Sequence, residues 1–243
     1  MMGDSMHDAL SQLSQFDNEA LLALNGSNSV YWDAVMWIVT QTVTWIPLLL
    51  VLLYVVMKNS SWRSLLLFVL AMALTVALAD RLSSGVIKPL VMRWRPTHDA
   101  TFLHTIDTVF GYTGGRFGFV SSHAANTFSL FVLLSLILRS GVMSVALFLW
   151  ACLSSYSRIY LGVHFPGDIL CGALLGMAVG FIVYLLYAFL ASRLDVSRQY
   201  YSTAYTSSGF LQSDMHVLLL TFAVTYAAIL LLAIPLAAGV FTL

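Results

Sequence analysis

Three short stretches of this chain carry residues suited to gripping and transferring a phosphate group. They are Lys88–Pro96 with Lys88 and Arg95, the run Ser121-Ser122-His123, and Ser157–Asp168 with Arg158, His164 and Asp168. A guanidinium matches phosphate oxygens two at a time, and an ammonium adds a compact point charge. A carboxylate near an imidazole fixes its tautomer and stabilises the imidazolium that forms during reaction. With one ring nitrogen of His164 engaged by Asp168, the other is left as a nucleophile. Gly162, Pro166 and Gly167 allow the backbone to turn sharply between Arg158 and Asp168. Lys88 and Arg95 stand seven residues apart, so a helix end would aim both to one side before Pro96 stops it. The glycine-rich stretch Gly114–Val120 leads into a helix start, where Ser121 or Ser122 is a natural N-cap. Free N–H groups at such a start favour an anion.

The elements that position these residues belong to a membrane. The chain has 243 residues, of which 60% are hydrophobic and 9% charged, with mean hydropathy +0.88. A soluble domain carries about 25% charged residues, so this chain cannot cover a water-facing surface. Crossing the hydrocarbon takes roughly 20 apolar residues in a helix. Six stretches qualify: Tyr31–Met57, Ser64–Val91, Ser122–Leu138, Val142–Leu161, Ile169–Ala191 and Val217–Ala238. The expectation is an all-α fold, a polytopic helical bundle forming one domain over 1–243. Its N-terminal segment, 1–27, is expected to hold an interfacial helix, with Leu10, Leu13, Phe16, Leu21 and Leu24 near one face of Met6–Leu24. No basic region precedes an apolar core there, so no secretory signal is expected. Gly172, Gly176 and Gly180 repeat every four residues, the spacing of a close helix–helix contact. Cys152 and Cys171 lie in apolar runs as small packing residues. Net charge is zero and nothing suggests nucleic acid. Ser192–Met215 is a polar connection, read as a linker.

Charge in the connections sets an orientation. Lys58, Arg63, Arg139, Arg193 and Arg198 fall on one side, expected to be cytoplasmic. Lys88, Arg93, Arg95, Arg116 and Arg158 then fall on the outer side, against the usual bias. Snorkelling at the interface would account for Arg93 or Arg116, but not for cations that keep company with histidines, glycines and prolines.

Taken together, Lys88-x6-Arg95-Pro96, Ser121-x-His123 and Ser157-Arg158-x5-His164-x3-Asp168 resemble the type 2 phosphatidic acid phosphatase family. The middle motif departs from the family's Pro-Ser-Gly-His, with Val120 for the proline and Ser122 for the glycine. The resemblance implies a metal-independent, cofactor-free hydrolase. In it His164 attacks phosphorus, Asp168 orients His164, and His123 protonates the leaving oxygen and then activates water. Lys88, Arg95, Arg158, Ser121 and Ser122 bind the phosphate. It implies a lipid phosphate as substrate and a bacterial cytoplasmic membrane as location, with the site facing outward. Undecaprenyl diphosphate is the favoured substrate, ahead of lipid A phosphate or phosphatidylglycerol phosphate. The loop His98–Val120, with His98, His104 and Arg116, is expected to help select it. A transporter that binds phosphate without cleaving it is the alternative from another class, favoured by ionisable residues within a span such as Asp80 and Arg81.

Overall fold

The computed structural model describes residues 2–102, 104–194 and 203–240. Among them the chain forms helices, with two isolated bridges, Trp94 with Phe117 and Tyr205 with Leu211. The helices are α1 (Met2–Leu24), α2 (Val30–Thr40), α3 (Ile46–Asn59), α4 (Trp62–Asp80), α5 (Lys88–Val91), α6 (Ser122–Leu138), α7 (Gly141–Tyr160), α8 (Pro166–Arg193) and α9 (Gln212–Ala237). Among the described residues, five continuous helical stretches are long and apolar enough to cross a membrane: Thr42–Asn59, Trp62–Val91, Gly141–Tyr160, Pro166–Arg193 and Gln212–Ala237. The fold is a helical membrane bundle. Helix α6, counted as a span above, is an apolar helix of 17 residues.

The expected span Tyr31–Met57 is broken rather than continuous. Gln41 is extended, at φ −75 and ψ 129, and a 3-10 turn runs over Thr42–Trp45 before α3 begins. Pro47 stands in the first turn of α3, where its missing N–H costs nothing and its fixed φ suits a helix start. The carbonyls freed at the end of α2 find other donors. Thr44 Oγ1 donates to Ile38 O at 2.6 Å and Trp45 Nε1 to Val39 O at 3.0 Å.

Between α4 and α5 the helix widens into a π segment, Arg81–Ile87, closed by the Lys88 N–H on Ser83 O. The whole stretch Trp62–Val91 has 30 residues. At about 1.5 Å per residue it outruns a hydrocarbon core of roughly 30 Å. Its length leaves several residues in excess of a single crossing, and Lys88 stands one turn from its end.

Helix α8 packs along α6 on its glycine stripe. A Cβ added at Gly172, Gly176 or Gly180 would run into the backbone oxygens of Ser121, Ala125 and Ser129 respectively. The stripe therefore sets two helix backbones in contact. At one end of the bundle Lys58 Nζ donates to Asp214 Oδ1 at 2.7 Å and Ser208 Oγ to Leu138 O at 2.9 Å. The connections after α3, α6 and α8 thus meet on one side, as the charge pattern requires. Residues 195–202 of the polar connection lie outside the described residues. Helix α1 docks by its C-terminal end: Leu21 is buried with Phe102, Ile159 and Phe165, while Leu13 and Phe16 stay exposed.

Because the obstacle at Gly176 is backbone, no rotamer change relieves it. Gly176→Ala is expected to destabilise the bundle by about 1–3 kcal/mol, read as a lowered unfolding midpoint in detergent. An unchanged midpoint would show that the two helices are free to move apart.

Candidate active site

The π segment sets the register of the first basic residue. Asp80 Oδ1 accepts from Ser84 Oγ at 3.2 Å, Ser84 shares a hydrogen bond with Ser122 Oγ at 2.7 Å, and Lys88 Nζ donates to Ser122 Oγ at 2.6 Å. Asp80 thus reaches Lys88 through two hydroxyls, and Ser122 ties α5 to the start of α6. The N-cap is Ser121, whose Oγ accepts from Ala124 N–H.

Lys88 and Arg95 do not share a helix, contrary to their spacing. Helix α5 ends at Val91 because Met92 turns left-handed, at φ 51. Arg95 instead lies on an extended segment pinned to the glycine-rich loop. Its N–H donates to Arg116 O at 3.2 Å, and Gly118 N–H donates to Arg93 O at 2.9 Å. The Arg95 guanidinium donates to Phe117 O at 3.2 Å and Val163 O at 3.3 Å. Gly118 is a close-approach glycine: a Cβ there would lie 2.8 Å from Asp168 Oδ2 and 3.6 Å from His164 Nδ1. Pro96 opens a 3-10 turn instead of ending the helix.

The last motif closes the site from α7 and α8. Arg158 is buried and donates to Thr40 Oγ1 at 2.7 Å and to Tyr112 OH at 3.2 Å. Its Nε is buried with no partner among the described residues. Gly162, at φ +73, turns the chain toward His164. His164 and Asp168 are 2% and 0% exposed, with Nδ1 3.4 Å from Oδ2. The backbone of Asp168 accepts from Ser121 N–H at 3.0 Å, so the first turns of α6 and α8 are joined. His123 meets Ser154 Oγ through Nε2 at 2.9 Å.

Electrostatics tie these groups to one pocket. Burial, then the positive charges of Arg95, Arg158 and Lys88, hold His164 well below the ordinary imidazole value of 6.5. The ring is neutral near pH 7, the form a nucleophile needs. Burial and then the neighbouring Arg158 lower Arg95 to about 10. Burial alone would raise Tyr112, but its bond to Arg158 and the charges of Arg158 and Arg95 leave it below its ordinary value. Cations crowded in a buried pocket lower one another's affinity for protons, a cost that a bound dianion offsets.

The structure therefore brings Lys88, Arg95, Ser121, Ser122, His123, Arg158, His164 and Asp168 near one another at one end of the bundle. The loop residues His98, His104 and Arg116 lie differently. Arg116 is exposed and stacks on Trp94, 4.4 Å from its ring centre; His98 shares a hydrogen bond with Thr97; His104 is exposed. Residues that the spacing did not single out also contribute: Thr40 and Tyr112 on Arg158, Ser154 on His123, and Gly118 beneath Arg95. Arg93 is another. Read as an interfacial anchor, it instead bonds Asp168 Oδ1 at 2.8 Å and Asp17 Oδ2 at 2.6 Å. Its position inside the first motif was the available signal; Asp17, 76 residues away, had none.

The chain is similar to several known proteins. A lipid A 4'-phosphatase of Bacteroides thetaiotaomicron is 36% identical over 223 residues, covering 91% of this chain and 97% of the relative. Another, from Porphyromonas gingivalis, is 34% identical over 179 residues, covering 74% and 76%. The crystal structure of Aquifex aeolicus LpxE superposes with a TM-score of 0.51 at 27% identity, covering 68% of this chain and 92% of that one. The model of the PAP2 superfamily matches residues 64–192, which hold every motif residue named above. With that match spanning more than half its length, the chain belongs to the PAP2 superfamily.

Proposed function

We propose that this protein is a membrane lipid phosphatase that removes a phosphate monoester from lipid A through a phosphohistidine intermediate. One observation carries the lipid part: His123 stands on the wall of an apolar cavity. The cavity, of about 570 Å³, lies between α3, α4, α6 and α7, with Leu52, Met72 and Leu130 in its lining and His123, Asn126 and Ser154 as polar groups. A leaving group that takes its proton from His123 departs beside hydrocarbon. Undecaprenyl diphosphate, the substrate favoured from sequence, gives way to lipid A phosphate, because two relatives matched over most of their length are lipid A 4'-phosphatases.

The chemistry follows from the groups in place. The phosphate sits among Lys88, Arg95 and Arg158, whose charges neutralise the equatorial oxygens as the transition state forms. The His164 Nε2 lone pair attacks phosphorus; the P–O bond to the sugar breaks; His123 gives its proton to that oxygen. The carboxylate of Asp168 faces Nδ1 and stabilises the positive charge that His164 acquires. Water, losing a proton to His123, then attacks phosphorus, releasing inorganic phosphate and restoring His164. No metal is required in this sequence of steps. The motif end lies opposite the end holding Lys58 and the connection after α8, which supports an outward-facing site in a bacterial cytoplasmic membrane.

Purified protein in detergent, with EDTA present, is expected to release phosphate from lipid A faster than from undecaprenyl diphosphate; the reverse order would reinstate the polyprenyl substrate. His164→Ala should lower turnover by about three orders of magnitude or more while the protein still folds. Phosphate binding without release in the parent protein would favour the transporter. His123→Ala should impair lipid A hydrolysis far more than hydrolysis of an aryl phosphate, whose leaving group needs no proton. The depressed proton affinity of His164 has a sign that nitrogen NMR reads directly. Protonation removes the lone pair, so the reactive form is lost on the acid side, and the midpoint must lie below 6.5. A midpoint at or above that value would contradict the buried, cation-facing placement.

A further inference from the structure

The carboxylate of Asp168 has two oxygens, and the chemistry above uses one. Oδ2 faces His164 Nδ1 at 3.4 Å and accepts the Phe165 N–H at 3.1 Å. Oδ1 accepts from Arg93 Nη1 at 2.8 Å. The second fork nitrogen, Nη2, donates to Asp17 Oδ2 at 2.6 Å, and Asp17 Oδ1 accepts the Gly167 N–H at 2.6 Å. The guanidinium also lies over the Phe165 ring, 4.0 Å from its centre. Arg93 is thus held on three sides, by two carboxylates and an aromatic face.

This sets it apart from the other cations of the motifs. Among the described residues, the ion pairs to acids include Arg93 twice and Lys88, Arg95 and Arg158 not at all. An arginine neutralised by two carboxylates is a poor phosphate ligand. It is a good clamp, because its planar fork fixes a carboxylate in one rotation. We infer that Arg93 and Asp17 are positioning residues for the phosphatase reaction, holding the Asp168 carboxylate so that Oδ2 faces His164 Nδ1, and that α1 is therefore part of the catalytic unit although the family match begins at residue 64. Asp17 balances the second face of Arg93, so the guanidinium is not drawn away toward the incoming phosphate. It also anchors the first turn of α8 through Gly167. The inference rests on the phosphohistidine reading proposed above.

Kinetics and nitrogen NMR on the full-length protein in detergent test it. Arg93→Met should lower kcat by about 10–100-fold, leaving KM and vanadate inhibition within twofold and the unfolding midpoint near that of the parent. Arg93→Lys should recover part of the loss. Asp17→Asn keeps an oxygen for Gly167 N–H but turns an amide NH2 toward Arg93, removing both the charge and that hydrogen bond; it should lower kcat by about 3–10-fold. Combined with Arg93→Met it should cost nothing further, because the two act as one unit. A KM raised tenfold with kcat unchanged would make Arg93 a phosphate ligand and overturn the inference, as would independent, multiplicative losses. NMR of substrate-free protein separates this outcome from failure of the functional reading. The parent should show His164 with its proton on Nδ1, and Arg93→Met a mixture with the Nε2–H form. An unchanged tautomer overturns the positioning role whatever lipid is hydrolysed. Should Arg93→Met not fold, Arg93→Lys and Asp17→Asn give the same readings.

Discussion

Backbone-to-backbone contact between α6 and α8 is the constraint on which the site depends. Without side chains at Gly172, Gly176 and Gly180, the two helices close until α8 meets the carbonyls of Ser121, Ala125 and Ser129. At that separation the Ser121 N–H reaches the Asp168 carbonyl, and two helix N-termini lie side by side. Both turn the positive ends of their dipoles toward that junction. Ser121, His123, His164 and Asp168 all sit within a turn or so of that junction, so its spacing is inherited by the chemistry.

Charge is divided in the same region. Lys88, Arg95 and Arg158 are held by neutral oxygens, from Ser122, from the Phe117 and Val163 carbonyls, and from Thr40 and Tyr112. Such partners fix direction without cancelling charge, which leaves the pocket in want of an anion. Arg93 is cancelled, by Asp17 and Asp168. One set of cations thus keeps its charge among neutral partners, and the other spends it on two carboxylates. Irregular backbone makes the first set possible: the break at Gln41 directs Thr40 toward Arg158, the π segment sets Ser84 and Lys88 against Ser122, and the left-handed Met92 releases Arg95 into the glycine-rich loop. Regular helices through these points would have carried each residue elsewhere.

Helix boundaries were legible because hydropathy is local. Ser122–Leu138 coincides with α6, Val142–Leu161 matches α7 within one residue at each end, and Val217–Ala238 starts five residues inside α9. The break in Tyr31–Met57 was less legible, although Pro47 marks it, since an apolar composition continues straight through. The count of six spans has five long helices beside it among the described residues, with the shorter α6 carrying two of the motif residues at its start.

The residue types and spacings by themselves determined the solvent, the class of fold and the kinship of the motifs, because each depends on neighbours within a few turns. Tertiary structure alone decided which cations pair with an acid among the described residues, which oxygen of Asp168 faces His164, and that a helix near the start of the chain reaches Asp168 through Asp17 and Arg93. Those are distances between side chains far apart along the chain. A carboxylate such as Asp17 has no local pattern to mark it, and only the packed bundle brings it to Arg93.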